Sequence, residues 1–156
     1  SINQKVLSMS FRVNFNLSPD LTLQYWGQPF VSSGSYNDFK YITDPMASEY
    51  LDRFNIYSNS QISPDGEERF LIDENTDGSN DYGFNKPDYN FQEFLSNFVL
   101  RWEYNPGSSV YLVWSQSRST YDEWGTVDYS NNMGPVFTEK PYNVFLIKFS
   151  YRFGIR

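Results

Sequence analysis

From Leu7 to Leu17 every second residue is apolar: Leu7, Met9, Phe11, Val13, Phe15 and Leu17 alternate with Ser8, Ser10, Arg12, Asn14 and Asn16. Successive side chains of a strand point to opposite sides, so this pattern predicts a strand with one greasy face and one wet face. Ser18-Pro19-Asp20 predicts a tight reversal, since proline fixes φ and the Ser and Asp side chains supply turn hydrogen bonds. The next stretch places Leu21, Leu23, Tyr25 and Val31 on one side and Thr22, Gln24 and Gln28 on the other. Gly27 and Pro29 predict a bulge or an edge in its upper half.

Periodicity then lapses over residues 32–90, a polar stretch rich in turn residues, with short helical or strand pieces expected around Pro45 to Phe54 and Glu68 to Ile72. It returns with Phe94, Phe98, Leu100, Trp102 and Tyr104 against Asn97, Arg101 and Glu103. Asn105 to Ser108 form a second turn signal, followed by Val110, Leu112 and Trp114 against Tyr111, Val113, Ser115 and Ser117. After another polar stretch, "NVFLIKFSYRFGIR" sets Asn143, Phe145, Ile147, Phe149, Tyr151 and Phe153 against Lys148, Ser150 and Arg152. The predicted strands are about 5–17, 21–31, 92–104, 109–118 and 142–153, with long loops at 32–90 and 119–141.

The order of connections narrows the fold. Tight turn, long loop, tight turn, long loop and chain end sort both turns and the C-terminus to one side and both loops to the other. Outer-membrane barrels have this layout, with short periplasmic turns and long extracellular loops. The expected fold is therefore all-β: the C-terminal five antiparallel strands of a transmembrane outer-membrane β-barrel, with two long extracellular loops and a periplasmic C-terminus. Lipid would meet odd positions in the first, second and fifth strands and even positions in the third and fourth. Five strands are too few to close a bacterial barrel. The expectation is thus one part of a larger barrel domain, with further strands preceding Ser1 or supplied by other outer-membrane chains, and a segment that does not fold alone because its edges would face lipid unpaired.

Composition changes this picture little but removes much chemistry. With 12 Lys+Arg against 19 Asp+Glu the net charge is −7, which argues against a nucleic-acid partner. The chain has no Cys and no His, so disulfides, thiol nucleophiles and His-dependent triads are excluded, and no enzyme is expected. No apolar run reaches the roughly 20 residues of a spanning helix, although barrel strands of about 9–11 residues escape such a test. Aromatics make up 20% of the chain, which suits a barrel with aromatic girdles or a sugar-binding β-domain.

Over "LTLQYWGQPFVSSGSYNDFK", "DENTDGSNDYGFNKPDYNFQEFLSNFVLRWEYNPGSSVYLVWSQSRS" and "NVFLIKFSYRF" the chain resembles the C-terminal β-barrel region of large Bacteroidota outer-membrane proteins that carry an N-terminal module similar to family 9 carbohydrate-binding domains. The resemblance implies an outer-membrane location and a link to glycan binding or uptake by the whole protein. It implies no catalytic residue, and these 156 residues do not include that module. The "GIR" after Phe153 departs from barrels that end on a terminal aromatic.

Three groups of residues are candidates for function. In "DENTDGSND", Asp73, Asn75, Asp77, Ser79 and Asp81 stand at positions 1, 3, 5, 7 and 9 of an EF-hand-like loop with Gly78 at its sharp turn, which points to Ca2+. Position 12 is Phe84, so the bidentate Glu is missing, with Asp88 a nearby substitute, and the plain alternative is a polar turn. Tyr25, Trp26, Trp102, Tyr104, Trp114 and Trp124 read as girdle anchors, while Tyr121, Trp124 and Tyr129 beside Asp122, Glu123 and Asp128 also suit sugar stacking. Arg12, Arg101, Glu103, Lys148 and Arg152 read as lumen lining, and the carboxylate pairs Glu67-Glu68 and Asp122-Glu123 as solvated loop charge. The alternative to the barrel is a soluble all-β carbohydrate-binding domain with loop aromatics and a structural calcium.

Overall fold

A computed structural model describes residues 1–66, 68–122 and 134–154. The chain is all-β with antiparallel sheets. Its largest sheet contains β1 (Ile2–Ser8), β2 (Phe11–Ser18), β3 (Leu21–Tyr36), β9 (Tyr89–Asn105), β10 (Ser108–Asp122) and β11 (Tyr142–Ser150). Its order is β1-β3-β9-β10-β11, with β2 also pairing β3, so β11 lies at one edge and β1 and β2 share the other. Among the described residues the sheet is open and does not close into a barrel. The chain divides into two compact units. One holds residues 1–5, 33–90 and 122–127, the other 6–32, 91–121 and 128–156.

The first predicted strand is two. Continuing the register Phe11↔Gly27 upward sets Met9 opposite Pro29, and the Met9 N–H donates to the Pro29 carbonyl at 3.2 Å. Proline returns no N–H, so the ladder breaks at Met9-Ser10 on the partner strand while β3 itself runs on unbroken. The bulge expected near Gly27 therefore appears as a break across from it. A separate irregularity at Leu17 leads into the turn, where the Asp20 N–H reaches the Ser18 hydroxyl at 3.3 Å.

The lower strands pair as their alternation requires. Val13 faces Tyr25 and Phe15 faces Leu23 on the apolar side, with Asn14 against Gln24 and Asn16 against Thr22 behind them. On the far edge Val110, Leu112 and Trp114 face Phe149, Ile147 and Phe145, and Tyr111 faces Lys148 on the polar side. Direct cross-strand neighbours share a face, so each hairpin carries its own apolar ladder.

The terminal strand is shorter than the expected 142–153. The ladder ends where Ser150 pairs with Ser109, one residue short of the start of β10 at Ser108. The Arg152 N–H bonds instead to the buried Ser108 hydroxyl at 3.0 Å, and its stem packs over Gly107, whose φ is 80°. β3, β9 and β10 in turn extend past their expected upper ends.

The expected long loop at 32–90 carries its own structure. β4 (Lys40–Ile42) pairs β5 (Phe54–Ile56), joined through a single 3-10 turn at Tyr50–Arg53, and β6 (Ile62–Asp65), β7 (Arg69–Ile72) and β8 (Tyr82–Asn85) form a second small sheet. Their sequences are too short for a visible alternation. They hold together through aromatic contacts: Phe39 packs on Phe70 and Phe84 at 5.1 and 5.0 Å, Tyr41 on Tyr57 at 4.8 Å, and Ile72 is fully buried. In the second expected loop, α1 (Gly134–Thr138) buries Val136 and sets Phe137 against Phe94 at 5.1 Å.

Phe11 lies over Gly27 so closely that a Cβ there would meet the ring tip at 2.4 Å. Gly27→Ala should therefore destabilise the full-length protein by about 1–3 kcal/mol through overpacking. In a Phe11→Ala background the same change should cost little, so a denaturation cycle over the four variants is expected to give a coupling well above experimental error.

Candidate functional site

Two surfaces of the sheet unit concentrate its chemistry. The first is apolar and open. Phe11, Val13, Phe15 and Leu17 on β2, Leu112 and Trp114 on β10, and Phe145, Ile147 and Phe149 on β11 are exposed, with Phe145 and Phe149 each at 72%. Each large apolar side chain left in water forgoes roughly 1.5–3 kcal/mol. Buried hydrophobic residues are correspondingly scarce: among the described residues they are Val31, Ile72 and Val136. A domain of this length ordinarily sinks many more into a core.

Aromatic rings with polar handles mark two ends of the apolar surface. Trp114 stacks on Phe145 with centroids 5.9 Å apart and an interplanar angle of 8°. Its Nε1 donates to Asn143 Oδ1 at 2.8 Å, and the same oxygen accepts from Gln116 Nε2 at 3.1 Å, so polarity begins one step above the ring. Near the 105–107 turn Trp102 and Tyr104 pair at 6.0 Å, and Tyr151 and Phe153 pair at 4.7 Å. Trp26 departs from the expected girdle, because it stands opposite Arg12 on the polar face.

The second surface is that polar face. Arg101 Nη2 meets Glu103 Oε2 at 2.6 Å while its Nε donates to the Tyr111 hydroxyl at 3.3 Å. Glu103 Oε1 accepts the Gly107 N–H at 3.0 Å, and Lys148 Nζ lies 5.7 Å from the Tyr111 ring centre. Arg101, Glu103 and Lys148 thus gather around Tyr111, whereas Arg152 turns to the Gly107 corner and Arg12 stands apart. Arg12, Gln24, Tyr25, Trp26, Asn97 and Val99 line a cavity of about 320 Å³. A second of about 290 Å³ is lined in part by Trp26, Asn97, Ser115, Ser117 and Tyr142. Alternation alone does not reveal these cavities, which depend on strands that meet across the sheet.

The Asp73 to Asp81 loop belongs to the other unit. Asp73 accepts the N–H groups of Asp77 and Gly78 at 3.1 and 2.8 Å, and Asn75 Oδ1 accepts that of Asp77 at 2.9 Å. Asp77 Oδ1 takes the Ser79 N–H at 2.8 Å and Asp81 Oδ2 takes that of Glu74 at 2.8 Å. Gly78 has φ of 91°, the sharp turn its place in the motif demands. Among the described residues no three acidic side chains converge as a metal group. Asp88, considered for the missing ligand, accepts the Tyr36 N–H at 2.8 Å. In the same unit Tyr57 and Tyr82 join hydroxyls at 2.6 Å, and burial, then that hydrogen bond, push the Tyr57 phenol up. Glu67, Glu123, Trp124, Asp128 and Tyr129 lie outside the described residues, while Tyr121 is exposed at the end of β10.

Fold and surfaces together define a class: an antiparallel all-β chain with a large apolar side left uncovered and a polar side behind it. The family model of a domain of unknown function, DUF5916, matches residues 3–154, and the chain belongs to that family. Comparison with curated proteins and with solved structures returns no match.

The Ser79 N–H, then the Asn75 side chain, holds the Asp77 carboxyl below the ordinary carboxylate range. Its contribution to the loop is therefore present above that range and lost as pH falls through the depressed value. A carboxyl NMR titration should give Asp77 a midpoint below that of a free aspartate, and Ser79→Pro, which deletes the N–H, should raise it.

Proposed function

We propose that this chain is a membrane-embedded segment of an outer-membrane β-barrel, which helps close the barrel and presents the residues between β3 and β9 and between β10 and β11 outside the cell. The observation that carries this reading is the in-register ladder of large apolar side chains on β10 and β11, exposed on one side and backed by a mixed face of Tyr111, Lys148 and Ser115 with Val113, Leu146 and Val144 on the other. Lipid would satisfy the apolar ladder without a protein core, and the aromatic pairs at its ends suit the two interfaces. β3, β9 and β10 have 16, 17 and 15 residues, more than the roughly 9–11 that cross a bilayer, which supports strands reaching beyond the membrane. The edges at β11 and β1/β2 would pair with other strands of the same barrel or with other outer-membrane chains, because unpaired backbone is costly in lipid. The soluble carbohydrate-binding alternative needs a core between facing sheets, which the three buried apolar residues among those described support poorly.

The chain has no native cysteine, so single spin labels can be placed at 145 to 149 in turn in the full-length protein in liposomes. Labels at Phe145, Ile147 and Phe149 should collide preferentially with oxygen, and those at Leu146 and Lys148 with a water-soluble nickel complex. A flat profile along the strand would sink the membrane reading.

Calcium at the Asp73 loop is part of the same proposal, supported by its Asp/Asn/Ser spacing and the Gly78 turn. Adding Ca2+ should slow amide exchange at residues 74 to 79, and Asp73→Asn should abolish the effect; exchange rates indifferent to calcium would refute it.

A further inference from the structure

We infer that the polar face of the sheet holds a binding site for a ring-bearing organic oxyanion, with Arg12 as the charge-recognising group and Trp26 as the flat surface on which the ring lies. The chain carries −7, yet its charge is not evenly spread. The unit of residues 1–5, 33–90 and 122–127 has 5 Lys+Arg against 14 Asp+Glu, and the sheet unit has the remaining 7 against 5, which gives −9 and +2. Within the sheet unit Arg101 is answered by Glu103, the one ion pair among the described residues. Arg12 has no such answer, and no carboxylate lines either cavity beside it.

The composition of the site specifies the ligand class. Arg12 and Trp26 are direct cross-strand partners, so the guanidinium and the indole rise from the same side about 4.5–5.5 Å apart at their Cβ atoms. Gln24 and Asn97 border the same cavity, and Asn97 Nδ2 reaches Ser115 Oγ at 3.3 Å, which carries amide and hydroxyl groups on into the second cavity. A planar guanidinium offers forked donors to a carboxylate or sulfate, an indole face accepts a ring, and the amides and hydroxyls serve polar substituents. Glu93 and Lys148 also lie on this face, Glu93 four residues above Asn97 on β9 and Lys148 four residues below Val144 on β11. At about 3.3 Å per residue Lys148 is roughly 13 Å along its strand from Val144, whereas Glu93 is roughly 7 Å from Leu95 of the second cavity and Arg101, tied to Glu103, roughly 7 Å from Val99 of the first. Arg12 is the charged side chain in the lining itself. The inference rests on the barrel reading, which makes this face an aqueous lumen wall.

Its test uses glucuronate and glucose, which share a ring and differ in the carboxylate. The full-length protein is labelled with fluorotryptophan in micelles, and the Trp26 resonance is assigned from its loss in Trp26→Phe. Glucuronate should shift that resonance saturably and glucose should not. Arg12→Gln should weaken the response by roughly tenfold or more, as expected for a hydrogen bond to a charged group, while Arg12→Lys should retain part of it. Equal responses to the two sugars, an unchanged response in Arg12→Gln, or no response to glucuronate would each overturn the site. Spin-label alternation along β11, measured on the same protein, separates the failures: alternation without a glucuronate response overturns this site alone, and loss of alternation removes the membrane reading with it.

Discussion

A sheet with one apolar side must set that side against something other than water, and in this chain nothing within the described residues is set against it. The consequence runs through the molecule. Phe11, Phe15, Phe145 and Phe149 are left open, the buried apolar set among the described residues shrinks to Val31, Ile72 and Val136, and the strands are held by backbone ladders and cross-strand pairs. Interior packing, which specifies most domains, specifies this sheet only weakly. Register does the work instead, because a slip of one residue would turn every Phe to the polar side.

The two units solve different problems with the same residue types. In the segment between β3 and β9, rings meet rings: Phe39, Phe70 and Phe84 form a closed triad, and Tyr41, Tyr57 and Tyr82 a polar-tipped row. In the sheet unit the aromatics are spread along strands, where Trp114 meets Phe145 across the ladder and Trp102 meets Tyr104 along one strand. Under the proposed reading the first arrangement suits a small water-exposed body and the second a lipid boundary.

Charge follows the same division. Acidic residues crowd the unit that carries the Asp73 loop, where backbone N–H groups answer them one by one. Basic residues favour the sheet unit, where Arg101 is tied to Glu103 and Tyr111. Arg12 stands beside an indole with no acid in the lining of the cavity it borders.

Alternation by itself determined the existence of the five long strand segments, the face each residue takes and the two tight turns, because period-two patterning over about ten residues is a local property of the chain. The Asp/Asn/Gly spacing likewise announced the turn at Gly78. Only the tertiary structure decided what depends on a partner strand. Pro29 breaks the strand across from it rather than its own, and the terminal ladder stops at Ser150, beyond which the Arg152 N–H turns to the Ser108 hydroxyl. The five short strands between residues 40 and 85 escape periodicity because three or four residues hold too few repeats to register. The same holds for Trp26, whose neighbours name it a girdle residue until Arg12, placed across from it by the register of β2 on β3, puts it on the polar face.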